Sequence, residues 1–168
     1  LSQEGNYETA LESGQLDLVI GNWPESSKRL HRRDLFTDEV VCLVSKNHPF
    51  AKTGLSEADY LRAAHLAPTP FLSAQRGTID THLARVRLKR NITVMIPYFS
   101  QAPALLLKTD LVFTITRRFA EYHARFLPLV VLDSPIDFPP VQYYILWHPR
   151  SHLSDEVQWL IGLIAGCI

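Results

Sequence analysis

Two rhythms of apolar residues alternate along this chain. Val40 to Val44 is apolar at every position and β-branched at three of five, which fits a strand buried on both faces. Comparable runs at Leu16–Ile20, Leu30–Leu35, His65–Thr69, Ile92–Ile96, Leu111–Ile115, Leu127–Leu132 and Val141–Trp147 predict further strands, most of them closed by Gly or Pro. Between them lie stretches with helical spacing. Tyr7–Ser13 stops at Gly14, and Ser56 with the acids behind it opens a helix to about Ala63. Ile79, Leu83 and Val86 share one face of a helix from Thr78. Ser100 is placed to cap a helix that tolerates Pro103 in its first turn, and Thr116 to cap Arg117–Ala124. Ser154 opens a last helix whose apolar side carries Val157, Leu160, Ile161 and Ile164.

Strand and helix in turn predict an α/β fold with a mostly parallel sheet covered on both faces. Val40–Val44 reads as a crossover between two lobes, with a return pass after Val130–Leu132 into Tyr143–Trp147. This divides the chain into lobe I, residues 1–43 and 134–168, and lobe II, residues 44–133. In such folds ligands bind in the cleft at the lobe boundary, outside the carboxyl ends of the strands.

Composition narrows the field. Hydrophobic residues are 46% and charged residues 20%, which describes a globular chain. Seventeen basic residues balance seventeen acidic ones, which argues against a broad nucleic-acid footprint. The basic clusters Lys28–Arg33 and Arg85–Arg90 read as solvated faces. Two cysteines, Cys42 and Cys167, imply no disulfide framework. No run reaches the ~18 apolar residues of a membrane span, so no membrane partner and a cytoplasmic setting are expected.

Several passages together resemble the LysR-type transcriptional regulators: Leu11–Gly21 with its Gly14 and Leu16-Asp17-Leu18; Asp38 with the following strand and His48-Pro49-Phe50-Ala51; Thr109–Val112 with Arg118-Phe119-Ala120; and Trp147–Ser151 with Trp159-Leu160. They follow the family order over nearly the whole chain. Ile96–Phe99 and Tyr144–His148 resemble the branch of nodulation and aromatic-degradation regulators. The resemblance implies an effector-binding (co-inducer) domain with a two-lobe, type 2 periplasmic-binding-protein-like fold. It also implies that the domain's first strand, helix and second strand, and a winged helix-turn-helix with its linker, precede Leu1. The expected partners are a small organic effector, possibly aromatic or a carboxylate in chemistry, a second or further copies of the chain (homodimer or homotetramer), and DNA only through the absent N-terminal domain. The helices Tyr7–Ser13 and Thr78–Val86 are the expected contact between copies. An extracytoplasmic solute-binding protein of the same fold is the alternative.

The effector candidates are residues just past strand ends. Asn22 and Trp23 follow the first strand, and Thr69 and Phe71 follow the strand of lobe II. Tyr98, Phe99, Ser100 and Gln101 lie at a strand-to-helix junction, where free backbone N–H groups suit a carboxylate or hydroxyl. The rings offer flat walls for a planar ligand, against the plainer alternative that they fill lobe cores. No catalytic residue, metal ligand set or cofactor is expected. His148 and His152 are spaced as a helical metal pair but straddle Pro149. No Gly-x-Ser-x-Gly elbow or phosphate-binding Gly-rich loop occurs, and Asp17, Asp38, Asp110 and Asp133 stand alone. His82 and His123 are expected at the surface.

Overall fold

A computed structural model describes residues 7–22, 29–69 and 77–168. The chain divides into two compact units, residues 1–38 with 141–168, and residues 39–140.

The first unit is built on α1 (Tyr7–Ser13), β1 (Leu18–Gly21), β2 (His31–Asp38), β8 (Val141–Trp147) and α7 (Asp155–Gly166). Its sheet has the order β1-β8-β2, both pairings antiparallel, with a bulge in β2 between Asp34 and Phe36. Period-two alternation along β8 sorts its side chains to two helices. Tyr144 and Leu146 pack with Tyr7 and Leu11 of α1, while Ile145 and Trp147 pack with Val157 and Ile161 of α7. Gly14, at φ +79°, lets the chain leave α1, and the Arg150 guanidinium occupies the space a Cβ there would need. Ser154 caps α7, its hydroxyl accepting from the Val157 N–H.

The second unit contains β3 (Val40–Ser45), α2 (Phe50–Thr53), α3 (Glu57–Arg62), β4 (Ala64–Pro68), α4 (Thr78–Arg85), β5 (Asn91–Ile96), α5 (Ala102–Leu106), β6 (Val112–Thr116), α6 (Arg117–Ala124) and β7 (Leu129–Asp133). Its five strands run in the order β5-β4-β6-β3-β7. Successive β3 side chains serve opposite layers, which is why this stretch is apolar throughout. Val41 and Leu43 meet Leu106 and Ala120 on the α5/α6 side, and Cys42 and Val44 meet Tyr60 and Leu83 on the α3/α4 side.

Two expectations change. The sheets are mixed, not mostly parallel: β4 is parallel to β5 and β6, whereas β3 is antiparallel to β6 and β7. The parallel pairs arise from strands joined by helices, and the antiparallel ones involve strands that border the passages between units, where no βαβ return sets the direction. Val40–Val44 is therefore an interior strand of the second unit, and the passage itself falls at Asp38–Glu39. Arg117, opening α6, joins the two neighbouring chain segments. Its backbone N–H donates to the Glu39 carbonyl at 2.8 Å, and its guanidinium donates to the carboxylates of Glu39 (2.8 Å) and Asp133 (2.7 Å). Among the described residues no helix is long and apolar enough to cross a membrane.

Candidate functional site

The second unit brings most of the candidate residues to one place, the carboxyl ends of the parallel neighbours β4 and β5. Pro68 is in register with Ile96, and the Thr69 N–H donates to the Ile96 carbonyl at 2.7 Å, carrying the ladder one residue past the strand. Thr69 and the segment after Pro97 therefore leave the sheet side by side. Tyr98 is still extended (φ −126°, ψ +112°), and a short 3-10 turn, Phe99–Gln101, follows, closed by the Gln101 N–H donating to the Tyr98 carbonyl at 3.0 Å.

The aromatic pair at this end does not fill the core: Tyr98 is 59% exposed and Phe99 51%. Phe99 is nevertheless held. Its ring meets Phe119 edge-on at 5.6 Å, and Phe119 meets the buried Phe113 in the same manner at 6.3 Å. It is the outermost ring of a series that ends in the core, a rigid apolar surface with one side open. Thr69, Ser100 and Gln101 are exposed around it and supply uncharged hydrogen-bonding groups.

The structure departs from the sequence expectation in how the junction is built. Ser100 caps nothing; it lies inside the 3-10 turn, and α5 begins at Ala102 and runs only to Leu106. So short a helix has a weak dipole, and the case for anion binding at its N-terminus loses most of its force. Asn22, exposed after β1, belongs to the first unit. Trp23 and Phe71 lie outside the described residues.

The second unit also holds buried polar groups, toward the amino ends of β4 and β5. The Tyr60 hydroxyl and Thr114 Oγ1 are 2.9 Å apart, His65 Nε2 is 2.6 Å from the Tyr60 carbonyl, and Arg90 forms a bidentate pair with Asp80, both contacts at 2.8 Å. Burial raises the Tyr60 phenol and the Cys42 thiol to about 12, and it lowers His65 to about 4. Arg90 corrects the reading of Arg85–Arg90 as a solvated face, since its side chain is only 2% exposed. Its sequence signal is faint: a basic residue directly before a strand, with an acid on the preceding helix. His82 and His123 are also not free surface groups. The His82 ring lies 5.0 Å from Phe138 and that of His123 4.4 Å from Phe119. His65 Nδ1, His82 Nε2 and Arg90 Nη1 are buried without a hydrogen-bond partner among the described residues. Among those residues no group of three or more His, Cys, Asp or Glu is arranged to hold a metal ion. His152 instead stacks on His31 at 4.0 Å and accepts from Trp147 Nε1 at 3.3 Å.

Comparison with known proteins adds an independent line. The model of the LysR substrate binding domain matches residues 1–166. The HTH-type transcriptional regulator SyrM 1 of Sinorhizobium fredii is 30% identical over 156 residues, 93% of this chain and 46% of the relative. The chain thus spans about half the length of the curated relatives it matches. A probable transcriptional regulator of Pseudomonas aeruginosa, PA0477, superposes with a TM-score of 0.82 at 29% identity, covering 99% of this chain and 53% of that one. The effector binding domain of QuiR, solved in complex with shikimate, has the same fold at 16% identity, with a TM-score of 0.76 over 96% of this chain and 76% of its own.

Proposed function

The chain belongs to the LysR substrate-binding domain family, and on that premise we propose that it senses a small ring carboxylic acid, aromatic or shikimate-like, at the joined ends of β4 and β5. The observation that carries this reading is the pair Tyr98 and Phe99, more than half exposed yet positioned by the Thr69–Ile96 bond and the Phe119–Phe113 ring series. The rings take the flat face of the ligand, and Thr69, Ser100 and Gln101 meet its polar groups. That the QuiR domain holds shikimate favours a ligand of this size and kind. Relatives described as transcriptional regulators favour a sensor over a solute-binding protein of the same fold.

In the whole protein, a cytoplasmic regulator, the ligand acts by preferring one conformation of this domain to another. It shifts the balance only by its difference in affinity for the two, and that bias reaches a separate DNA-binding part. The regulator works as a homodimer or higher oligomer. The balance of seventeen basic and seventeen acidic residues leaves operator binding to that other part, so this chain alone gives no gel shift with operator DNA.

A thermal-shift screen of aromatic and hydroxylated ring carboxylic acids tests the proposal. Ligand binding raises the melting temperature in proportion to the logarithm of its concentration above Kd. Phe99→Ala abolishes that rise without lowering the melting temperature of the free protein by more than a few degrees. An unchanged titration in Phe99→Ala refutes the assignment.

A further inference from the structure

The first turn of α6 touches the strand-end surface on one side and the entry of the chain into the second unit on the other. β6, which feeds it, lies between β4 and β3, with Phe113 opposite Leu66 and Thr116 opposite Val40. β6 is parallel to β4 and antiparallel to β3, so α6 starts beside the carboxyl end of the first and the amino end of the second.

Phe119 takes the effector side. Its ring stands edge-on to Phe99 at 5.6 Å and to Phe113 at 6.3 Å and lies 4.4 Å from His123, so three neighbours fix it. Tyr98, as open to solvent as Phe99, makes no ring contact among the described residues. Arg117 takes the other side. Its Nε donates to Glu39 and its Nη2 to Asp133, its N–H holds the Glu39 carbonyl, and its Nη1 lies 3.8 Å from Glu121 one turn on. Glu39 directly follows the passage into this unit, and Asp133 ends β7, the last strand before the chain returns at Val141. The side chains of Glu39 and Asp133 are 71% and 88% exposed. Ion pairs so open add little stability singly, so their main effect falls on where α6 begins, not on whether the unit folds.

We propose that Arg117 is a positioning residue of the effector surface, which rests on the reading of the strand ends as that surface. By pinning the first turn of α6 to Glu39 and Asp133, Arg117 sets Phe119, and through Phe119 the ring of Phe99 on which the ligand lies. Coupling of this kind is reciprocal: what the Arg117 contacts do to ligand affinity, the ligand does to the Arg117 contacts. A bound acid thereby gains a route from Phe99 to Glu39 and Asp133.

Two measurements test this, one without ligand. In protein made with isotope-labelled arginine, the Nε–H NMR signal missing from Arg117→Lys belongs to Arg117. Phe99→Ala and Phe119→Leu should each shift that signal in the free protein, and Tyr98→Ala should leave it in place. Benzoate is the ligand probe, followed on the backbone amides of Thr69 and Gln101. Arg117→Gln should weaken its affinity about threefold or more, the scale of a partly exposed charge pair, and Glu39→Gln with Asp133→Asn should do the same with Arg117 intact. An Arg117 signal blind to Phe99→Ala and Phe119→Leu, or moved as far by Tyr98→Ala, would overturn the proposal. So would unaltered benzoate affinity in both charge variants, with only the melting temperature lowered, since Arg117 would then merely stabilise the fold. No binding by benzoate or any acid of the thermal screen, with the Arg117 signal still shifted by Phe99→Ala, would refute the strand-end effector reading and uphold the coupling of Phe99 to Arg117.

Discussion

His65 makes acid the sharpest probe of the second unit's interior. It sits in β4 at 0% exposure, with Nε2 bonded to the Tyr60 carbonyl, the ring edge-on to Tyr60 at 4.6 Å, and Nδ1 buried without a partner among the described residues. Burial opposes its protonation and lowers its pKa from 6.5 to about 4, with the Arg90 cation adding to the effect. The sign follows from which state takes the proton first. The unfolded chain protonates His65 near pH 6.5 while the folded chain resists until about pH 4, so the stability this residue contributes is whole above pH 6.5. It falls between 6.5 and 4 and levels off below. Each pKa unit is worth about 1.4 kcal/mol, so the loss approaches about 3 kcal/mol, a large share of a typical domain's stability. Urea unfolding followed by far-UV circular dichroism at pH 7 and pH 4, on the natural sequence and on His65→Gln, isolates this part because the other titrating groups are common to both. The difference in unfolding free energy between pH 7 and pH 4 should be about 3 kcal/mol greater in the natural sequence. Trp23, Trp147 and Trp159 all lie outside residues 39–140, so tryptophan fluorescence serves as a control on the first unit. Parallel loss in the two proteins would refute the reasoning.

Other outcomes follow from burial. Cys42 is 0% exposed with its thiol raised to about 12, whereas Cys167 is exposed. One thiol should therefore react at once with a thiol reagent at neutral pH and the second only on unfolding; two fast thiols would contradict the packing of β3. Ile161, 1% exposed against β8, should cost about 2–5 kcal/mol when replaced by Ala, while Leu163→Ala, on the open side of α7 at 49% exposure, should cost under about 1 kcal/mol. Chemical denaturation of the two variants decides it, and equal losses would mean that α7 is packed on the wrong face.

Much of the fold was legible because its signals are local. Ser56 and Ser154 carry their caps within three residues, the period-two pattern of Val141–Trp147 sorts its side chains to two helices, and the run Val40–Val44 needed cover on both faces. Strand direction was less legible, because the partners of β3 come from far along the chain and neither joins it through a helix. The same holds for Arg90. Inside a basic run it looks solvated, and only the fold of α4 back over β5 places Asp80 against it. At the candidate site, the position of Thr69 and Tyr98 at strand ends was readable from Pro70 and Pro97. The exposure of Tyr98 and Phe99 was not, since an aromatic after a strand fills a core as readily as it lines a surface. The expected cap at Ser100 failed because Pro103 and the 3-10 turn move the helix start to Ala102.

The most direct test of the effector surface is hydrogen–deuterium exchange on this chain with and without a saturating acid from the thermal screen. Protection should appear in peptides covering Leu66–Thr69 and Ile96–Gln101, and it should vanish in Phe99→Ala. Protection confined to other segments, with those two peptides exchanging as in the free protein, would contradict the account.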